Sequence, residues 1–181
     1  SNYVETTAFL AEVLWPDPFT DSSLHKEMIN DLCFPDNWPE ITKLYYTAGN
    51  ETLDTVLNTL NAGGHFLNHD GHASHAAWGI GSGYIQKEHI QNLLNQDENW
   101  IIHSIGCLSN RFTQDCMGTA FMTCPTGGAV AYMGNYSYGW GMPGSPGFGI
   151  SDMYDTKFWE LLFLDPEPQI GKVFANCKEY F

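Results

Sequence analysis

One cysteine and one histidine in this 181-residue chain follow separate predicted strands. Cys107 comes after the apolar run 100–105, and His72 comes after the shorter run 65–68. The carboxyl ends of neighbouring parallel strands meet at one edge of a sheet, about 4.8 Å apart. If these two strands are neighbours, the thiol and the imidazole lie within reach of each other. A thiolate that attacks a carbonyl, beside an imidazole that accepts and returns the proton, performs nucleophilic acyl transfer.

Two other interpretations of these side chains stay open. A lone cysteine after a strand is more often a small buried hydrophobic residue than a nucleophile. Clustered histidines also suggest zinc, since three neutral imidazoles and a water would make a hydrolytic site. The candidates are His65, His69, His72 and His75, with Asp70 among them. No complete zinc motif is present. A His-x-x-His spacing binds a metal best on a helix, and Gly71 among turn residues argues against a helix here.

The elements that must position these residues alternate between strands and helices. Strands are predicted at 41–47, 65–68, 100–105 and 128–133, with a further apolar run at 7–14. Helices are predicted at 21–33, 85–94, 115–122, 156–163 and 170–181, and another is capped by Asn50 and stopped by Gly63. Residues 134–149 form a loop rich in Gly and Pro. This alternation predicts an α/β fold with a parallel sheet covered on both faces.

The composition excludes several functional classes. With 7 Lys+Arg against 21 Asp+Glu, the net charge is 7 − 21 = −14, which disfavours binding to nucleic acid or anionic lipid. No apolar run approaches the roughly 18 residues of a membrane span. Hydrophobic residues make up 43% of the chain, enough for one sizeable core. The five cysteines form no CxxC pair, and their odd number leaves at least one thiol unpaired within a chain.

Four short motifs lie around and after His72 and Cys107. They are Gly71-His72-Ala73-Ser74-His75-Ala76-Ala77-Trp78-Gly79, Ile105-Gly106-Cys107-Leu108-Ser109-Asn110, Cys116-Met117-Gly118 and Gly134-Asn135-Tyr136-Ser137-Tyr138-Gly139-Trp140. In this order and spacing the motifs resemble those of the gingipain family of cysteine peptidases. The resemblance covers roughly residues 7–163 and is strongest between Asn68 and Trp140.

The resemblance implies a caspase-like three-layer α/β/α sandwich with a mostly parallel sheet, and a cysteine endopeptidase that works through a thioester. By matching position, Cys107 is the nucleophile and His72 the general acid/base. The backbone N–H groups of Cys107 and Ala73 form the oxyanion hole. Glu12 matches an acidic residue that orients the imidazole or stabilises its charge. The alternative interpretation, that Glu12 is a solvated carboxylate at the end of a strand, has equal weight.

The same resemblance implies where substrate and ions bind. Trp140 and Tyr138 belong to the substrate-binding loop, and Trp140 is either a wall of the specificity pocket or a loop anchor. No cofactor is required, and calcium is a possible structural ion near Asp17 and Asp21. The partners are peptide or protein substrates.

This chain departs from the family pattern in two ways. Ala73 replaces a Gly, which puts the loop geometry in doubt because Ala lacks the left-handed freedom of Gly. The acidic residue that selects basic side chains has no secure equivalent, since Ser23 occupies the ungapped position and Asp21 lies nearby. The resemblance therefore does not carry over cleavage after Arg or Lys, and an inactive peptide-binding domain of the same fold remains the alternative.

The resemblance also suggests the context of the chain. Residues 1–181 are expected to be a single catalytic domain or subdomain from a longer multidomain protein. Family members are exported, so the expected location is secreted or at the cell surface, although this chain carries no signal peptide to indicate it.

Overall fold

Five parallel strands form the centre of the computed structural model, which describes residues 5–164 and 169–181. The strands of this sheet are β1 (Thr7–Ala11), β4 (Thr42–Tyr45), β5 (Phe66–Asp70), β8 (Trp100–Ser104) and β9 (Ala129–Gly134). Their spatial order is β4-β1-β5-β8-β9, and every neighbouring pair is parallel. The strands that precede His72 and Cys107, β5 and β8, are therefore direct neighbours, as the sequence predicts.

In the part of the chain that the structure describes, six helices cover the two faces of this sheet. They are α1 (Ser22–Cys33), α2 (Leu53–Ala62), α3 (Lys87–Ile90), α4 (Met117–Met122), α5 (Ile150–Phe163) and α6 (Ile170–Cys177). Along β1 the side chains alternate between two cores: Ala8 and Leu10 pack with residues of α2 and α4, whereas Phe9 and Ala11 pack with residues of α1, α5 and α6. The predicted α/β fold with both faces covered is confirmed. None of the helices within the described ranges has the length and hydrophobicity needed to cross a membrane.

Two small antiparallel hairpins, which the sequence analysis missed, lie beside the sheet. One pairs β2 (Val13–Pro16) with β3 (Phe19–Asp21), and the other pairs β6 (Ala77–Ile80) with β7 (Gly83–Gln86). The predicted helix at 85–94 is wrong, because residues 83–86 belong to the second hairpin and α3 has only four residues. Ile85 and Ile90 are both buried, so apolar spacing alone did not distinguish a strand followed by one helical turn from a longer helix.

Other predicted boundaries shift as well, and α5, for example, begins at Ile150 rather than at residue 156. The strand at 65–68 extends to Asp70, so His69 lies in the sheet rather than in the following turn. The α2 helix is capped by Thr52 in a reciprocal capping box with Thr55. Asn50 instead accepts a hydrogen bond from the backbone N–H of Tyr45 at 2.8 Å, which ties the β4 end to the loop.

A buried lysine connects two helices of one face, α1 and α5, to strand β5 in the middle of the sheet. Lys26 of α1 is fully buried, and its Nζ lies 2.6 Å from Asp155 of α5 and 3.4 Å from Asp70 of β5. It also donates to Asn68 Oδ1 at 2.7 Å. Burial alone would lower the pKa of Lys26, but Asp155 and Asp70 raise the pKa above its ordinary value. The ammonium therefore stays charged, and it links α1 to the carboxylates of α5 and β5.

Replacement of this lysine is expected to destabilise the protein strongly. Lys26→Met removes the ammonium between two buried carboxylates, which keep their contacts with His25 and His103, and we expect a loss of about 3–5 kcal/mol in the free energy of unfolding. Urea denaturation measures this loss. The matched control is Lys43→Met, since Lys43 pairs with Glu27 at 2.6 Å in a half-exposed position and should contribute less than about 1 kcal/mol. Equal losses for the two variants would contradict the importance assigned to Lys26.

Candidate active site

The sheet register brings the predicted nucleophile and base to the same edge. His69 of β5 is paired with Ser104 of β8. His72 follows His69 by three residues, and Cys107 follows Ser104 by three residues. Both line one cleft of about 110 Å³. The cleft is completed by Leu14, Trp15, Asp70, Gly71, Ile105, Gly106, Gly139, Trp140, Gly141, Ser151 and Asp152.

The loop after β9 holds the Cys107 thiol in place. The backbone N–H of Gly139 donates to Cys107 Sγ at 3.3 Å. The neighbouring Leu108 donates its N–H to Ser137 O at 2.7 Å and has φ +57°. A left-handed conformation in a leucine costs about 1–2 kcal/mol, so the surrounding contacts impose this bend at the thiol. The half-buried thiol thus sits on a strained turn with a hydrogen-bond donor directed at its sulfur.

The His72 ring is oriented by a main-chain carbonyl. Its Nε2 lies 2.7 Å from Leu14 O, and its ring packs edge-on against Trp15 with centroids 6.1 Å apart. A carbonyl oxygen only accepts, so Nε2 carries the proton and donates it to Leu14. In the neutral ring Nδ1 is then the unprotonated nitrogen, and it is the atom able to accept a proton from a thiol.

Glu12 contacts the main chain of His72. Glu12 lies between β1 and β2, and its Oε2 accepts the backbone N–H of His72 at 2.8 Å. Burial raises the pKa of the Glu12 carboxyl, while the hydrogen bond from His72 opposes that rise. A Cβ on Gly79 would lie 2.7 Å from Glu12 Oε2 and 3.0 Å from His72 O, so a side chain there would displace the carboxylate. The carboxylate fixes the position of the His72 loop through its backbone.

Ala73 does not require the left-handed conformation that the family's glycine permits. Gln96 and Leu108 are the non-glycine residues with positive φ in the described chain, and Ala73 is not among them. Its bridge to Trp78 is held by Gly79 N–H to His72 O at 2.6 Å and Ser74 N–H to Ala77 O at 2.9 Å. The N–H of Ala73 takes no part in this bridge and points away from the hairpin partner.

Gly106 compensates for the extra methyl group of Ala73. A Cβ on Gly106 would lie 2.5 Å from the Cβ of Ala73 and 2.8 Å from Gly71 O. The loops that carry His72 and Cys107 are therefore in direct contact, and a side chain at residue 106 would push them apart.

An aromatic rim surrounds the cleft on the side of the β9 loop. Trp140 and Tyr138 are 66% and 63% exposed, so neither is an anchor buried in the core. The main chain of Trp140 is fixed to Ser151 by hydrogen bonds of 2.8 and 3.0 Å. Both aromatic residues also line an adjacent groove of about 450 Å³, together with residues of α5 and α6. The Trp140 ring is thus presented to solvent at the cleft that contains the thiol, and the Tyr138 ring at the adjacent groove.

Two buried carboxylates form part of the cleft floor: Asp70, considered above only as a zinc ligand, and Asp152, which sequence reasoning missed. Asp70 lies 2.8 Å from His25 Nδ1, and Asp152 accepts the N–H groups of Gly147 and Gly149, each at 3.0 Å. Ligand-type atoms of His25, Asp70 and Asp152 lie within 4.8 Å of one another. These groups already have protein partners, and the Lys26 ammonium lies 3.4 Å from Asp70. Asp152 belongs to no motif, so only the packing of α5 against β5 could reveal it.

The four histidines considered for zinc are not brought together. His65 stacks on Phe66 with centroids 4.0 Å apart, whereas the buried His69 stacks on Trp78 at 4.5 Å. Within residues 5–164 and 169–181, the group of metal-ligand side chains that the structure assembles is the His25 cluster, which contains none of these four.

The acidic loop considered for calcium has one side chain that is already engaged. Asp21 caps α1, where its Oδ1 accepts the N–H of Ser23 and its Oδ2 accepts the hydroxyl of Thr47, both at 3.0 Å. Asp17 is exposed in the turn between β2 and β3. Calcium binding at this loop stays a prediction.

A further buried carboxyl lies behind the hairpin that follows His72. Glu51 Oε2 accepts the N–H of Gly81 at 2.7 Å, while its Oε1 is buried and has no hydrogen-bond partner among the described residues. Burial raises the pKa of Glu51 to about 8, and the nearby carboxylates of Glu12 and Asp70 also raise it. Glu51 is therefore a neutral acid at pH 7.

This shift predicts that stability falls as the pH rises. Between about pH 4.5 and pH 8 the folded state holds a proton on Glu51 that the unfolded state has lost, so folding is favoured less at the higher pH. Glu51→Gln is neutral at every pH and should remove a few kcal/mol of this dependence. Thermal unfolding at pH 5.5 and pH 8.5 measures it, with the exposed Glu88→Gln as control. A Glu51→Gln variant with the same pH dependence as the parent would contradict the assignment.

Comparison with known proteins agrees with this geometry. The sequence model of peptidase family C25 matches residues 2–181. No curated protein matches the sequence. The fold is similar to that of the arginine-specific cysteine proteinase gingipain R (RgpB), with a TM-score of 0.78 and 20% identity over 97% of this chain and 41% of that chain.

Two other solved structures show the same fold. The complex of the pro- and mature domains of RgpB from Porphyromonas gingivalis gives a TM-score of 0.75 and 19% identity, over 98% of this chain and 43% of that one. A structure described as a protease gives 0.65 and 17%, over 87% and 32%. The expected gingipain-like α/β fold is confirmed. This chain spans about two fifths of the length of the two gingipain chains.

Proposed function

Because the chain belongs to peptidase family C25, we propose that it is a cysteine endopeptidase with Cys107 as nucleophile and His72 as general acid/base. The observation that carries this proposal is the shared cleft at the ends of β5 and β8. There a thiol that accepts the Gly139 N–H lies near an imidazole whose Nε2 is committed to Leu14 O. Their loops touch at Ala73 and Gly106.

The proposed reaction begins when His72 Nδ1 accepts the proton of the Cys107 thiol. The thiolate forms a bond to the carbonyl carbon of the peptide, and the carbonyl electron pair moves to the oxygen. The N–H groups of Cys107 and Ala73 donate to this oxyanion, and the loss of one such donor typically costs about 3–4 kcal/mol. Collapse breaks the C–N bond while His72 returns the proton to the leaving amine. His72 then deprotonates a water, which attacks the thioester and regenerates the thiol as the acid product leaves.

Glu12 acts in this proposal as a positioning group. It holds the His72 loop through the backbone N–H, and its negative charge favours the imidazolium that forms when the thiol ionises. The hydrogen bond goes to the main chain, so Glu12 does not determine which ring nitrogen carries the proton; the carbonyl of Leu14 does.

The proposed substrates are peptides or proteins that lie across the rim formed by Trp140 and Tyr138. This rim is exposed and adjoins the thiol, which is where a polypeptide must bind for its carbonyl to reach Sγ. The similarity to gingipain structures also supports secretion or a cell-surface location, and further domains in the full-length protein.

Labelling and substitution test the two reacting groups. Cys107 should react with iodoacetamide faster than Cys33 and Cys177, because burial raises the pKa of those two thiols to about 12 and about 11. Cys107→Ala should abolish cleavage of a peptide library. His72→Gln keeps a donor for Leu14 O but no base, so kcat should fall roughly 10²–10⁴-fold.

The control for this experiment is Cys33→Ala, which should cleave at the parent rate. If Cys107 is labelled no faster than Cys33 and the library stays intact, the chain is an inactive peptidase-like domain that binds peptides. That alternative has the same fold, since fold alone does not guarantee activity.

Substitution of the rim tests the substrate-binding assignment. Trp140→Ala removes an exposed ring without disturbing the main-chain hydrogen bonds to Ser151, so we expect KM to rise about tenfold with little change in Tm. Phe19→Ala, at a similarly exposed residue of the β2–β3 hairpin, is the control. An unchanged KM for every peptide in the library would remove Trp140 from the substrate site.

A further inference from the structure

A second histidine, His69, lies buried directly beneath the cleft and does not line it. Its ring stacks on Trp78 with centroids 4.5 Å apart and an interplanar angle of 8°. Its Nε2 lies 3.1 Å from Gly79 O, and its Nδ1 lies 3.0 Å from Ser104 Oγ. Both ring nitrogens thus have a partner, one in the β6 hairpin and one at the end of β8.

The identity of these partners fixes the protons on the ring. Gly79 O only accepts, so Nε2 carries hydrogen and Nδ1 must accept from the Ser104 hydroxyl. Burial lowers the pKa of His69 to about 4, which keeps the ring neutral. The Ser104 hydroxyl also faces Tyr132, whose hydroxyl accepts the Trp78 Nε1–H at 3.0 Å. The hydrogen bonds therefore run from the Ser104 hydroxyl through the His69 ring to Gly79 O.

This bridge joins the two segments that carry the reacting groups. Gly79 donates its N–H to His72 O at 2.6 Å, so it is bonded directly to the residue proposed as the base. Ser104 is paired with His69 in the sheet and precedes Cys107 by three residues. A Cβ on Gly106 would lie 3.4 Å from His69 Cε1, so the ring also packs against the residue before the nucleophile.

We propose that His69 is a positioning residue for the peptidase reaction, whose neutral ring sets the separation of the His72 loop from the Cys107 turn. The inference rests on the proposed function, and it assigns His69 no contact with substrate. A shift of about 1 Å between reacting groups can cost about 10²-fold in rate, so loss of this bridge should act on kcat.

Graded substitutions separate the bridge from simple packing. His69→Phe keeps a ring on Trp78 and removes both hydrogen bonds, whereas His69→Gln keeps a donor for Gly79 O. Ser104→Ala removes the donor to Nδ1 alone. We expect kcat to fall tenfold or more for His69→Phe and about fivefold for Ser104→Ala, with KM within threefold. His69→Gln should recover part of the loss seen for His69→Phe.

The control variant is Ile102→Val, which removes one methylene from the buried β8 strand and touches none of these hydrogen bonds. It should lower Tm while kcat stays within twofold of the parent. A folded His69→Phe variant with the parent kcat would overturn the inference. So would losses of kcat that follow Tm equally in Ile102→Val and His69→Phe.

Nitrogen-15 NMR of the imidazoles tests the bridge independently of cleavage. We expect His69 to show hydrogen on Nε2 and to stay neutral from pH 8 to pH 5. Hydrogen on Nδ1, or a doubly protonated ring at pH 6, would overturn the inference whether or not the protein cleaves peptides. Failure of the proposed function gives a different result, namely slow labelling of Cys107 in the unsubstituted protein.

Discussion

The charge of one buried lysine determines how the helices of one face meet the sheet. Lys26 is enclosed by Asp155, Asp70 and Asn68, so α1 and α5 must lie where their side chains reach the same point on β5. An uncompensated charge in this place would cost several kcal/mol, which makes other placements of either helix unfavourable. Asp70 is also part of the cleft floor. The network that fixes the helices therefore also supports the candidate active site.

Close approach of main chain to main chain gives the cleft its shape. Gly106 admits the methyl group of Ala73, and Gly79 admits the carboxylate of Glu12. The side chains of Cys107 and His72 are then held by backbone groups, namely the N–H of Gly139 and the carbonyl of Leu14. The carbonyl of Leu14 does not depend on the Leu14 side chain, whereas Gly139 must stay glycine because a Cβ there would lie 2.3 Å from Ile105 O.

Sequence reasoning succeeded where the signal was local or carried by a motif. Cys107 and His72 were predicted to lie together because each follows an apolar run that forms a strand, and the two residues do line one cleft. The prediction of a helix at 85–94 was wrong because the chain turns back near residues 81–83 and forms a hairpin. Burial of Ile85 and Ile90 is compatible with either a strand or a helix. Glu12 was predicted from its family position, but its contact with the His72 backbone could not be inferred from the sequence.

The sequence by itself determined the alternation of strands and helices and the resemblance to gingipains, and it predicted which side chains react. These follow from local periodicity and from short motifs, which persist without knowledge of packing. Only the tertiary structure decided which histidine is exposed in the cleft and which is buried beneath it. His69 and His72 are separated by two residues, yet strand pairing places one ring on Trp78 and the other against Trp15. Partners for buried polar groups come from distant parts of the chain, and the order of residues does not specify them.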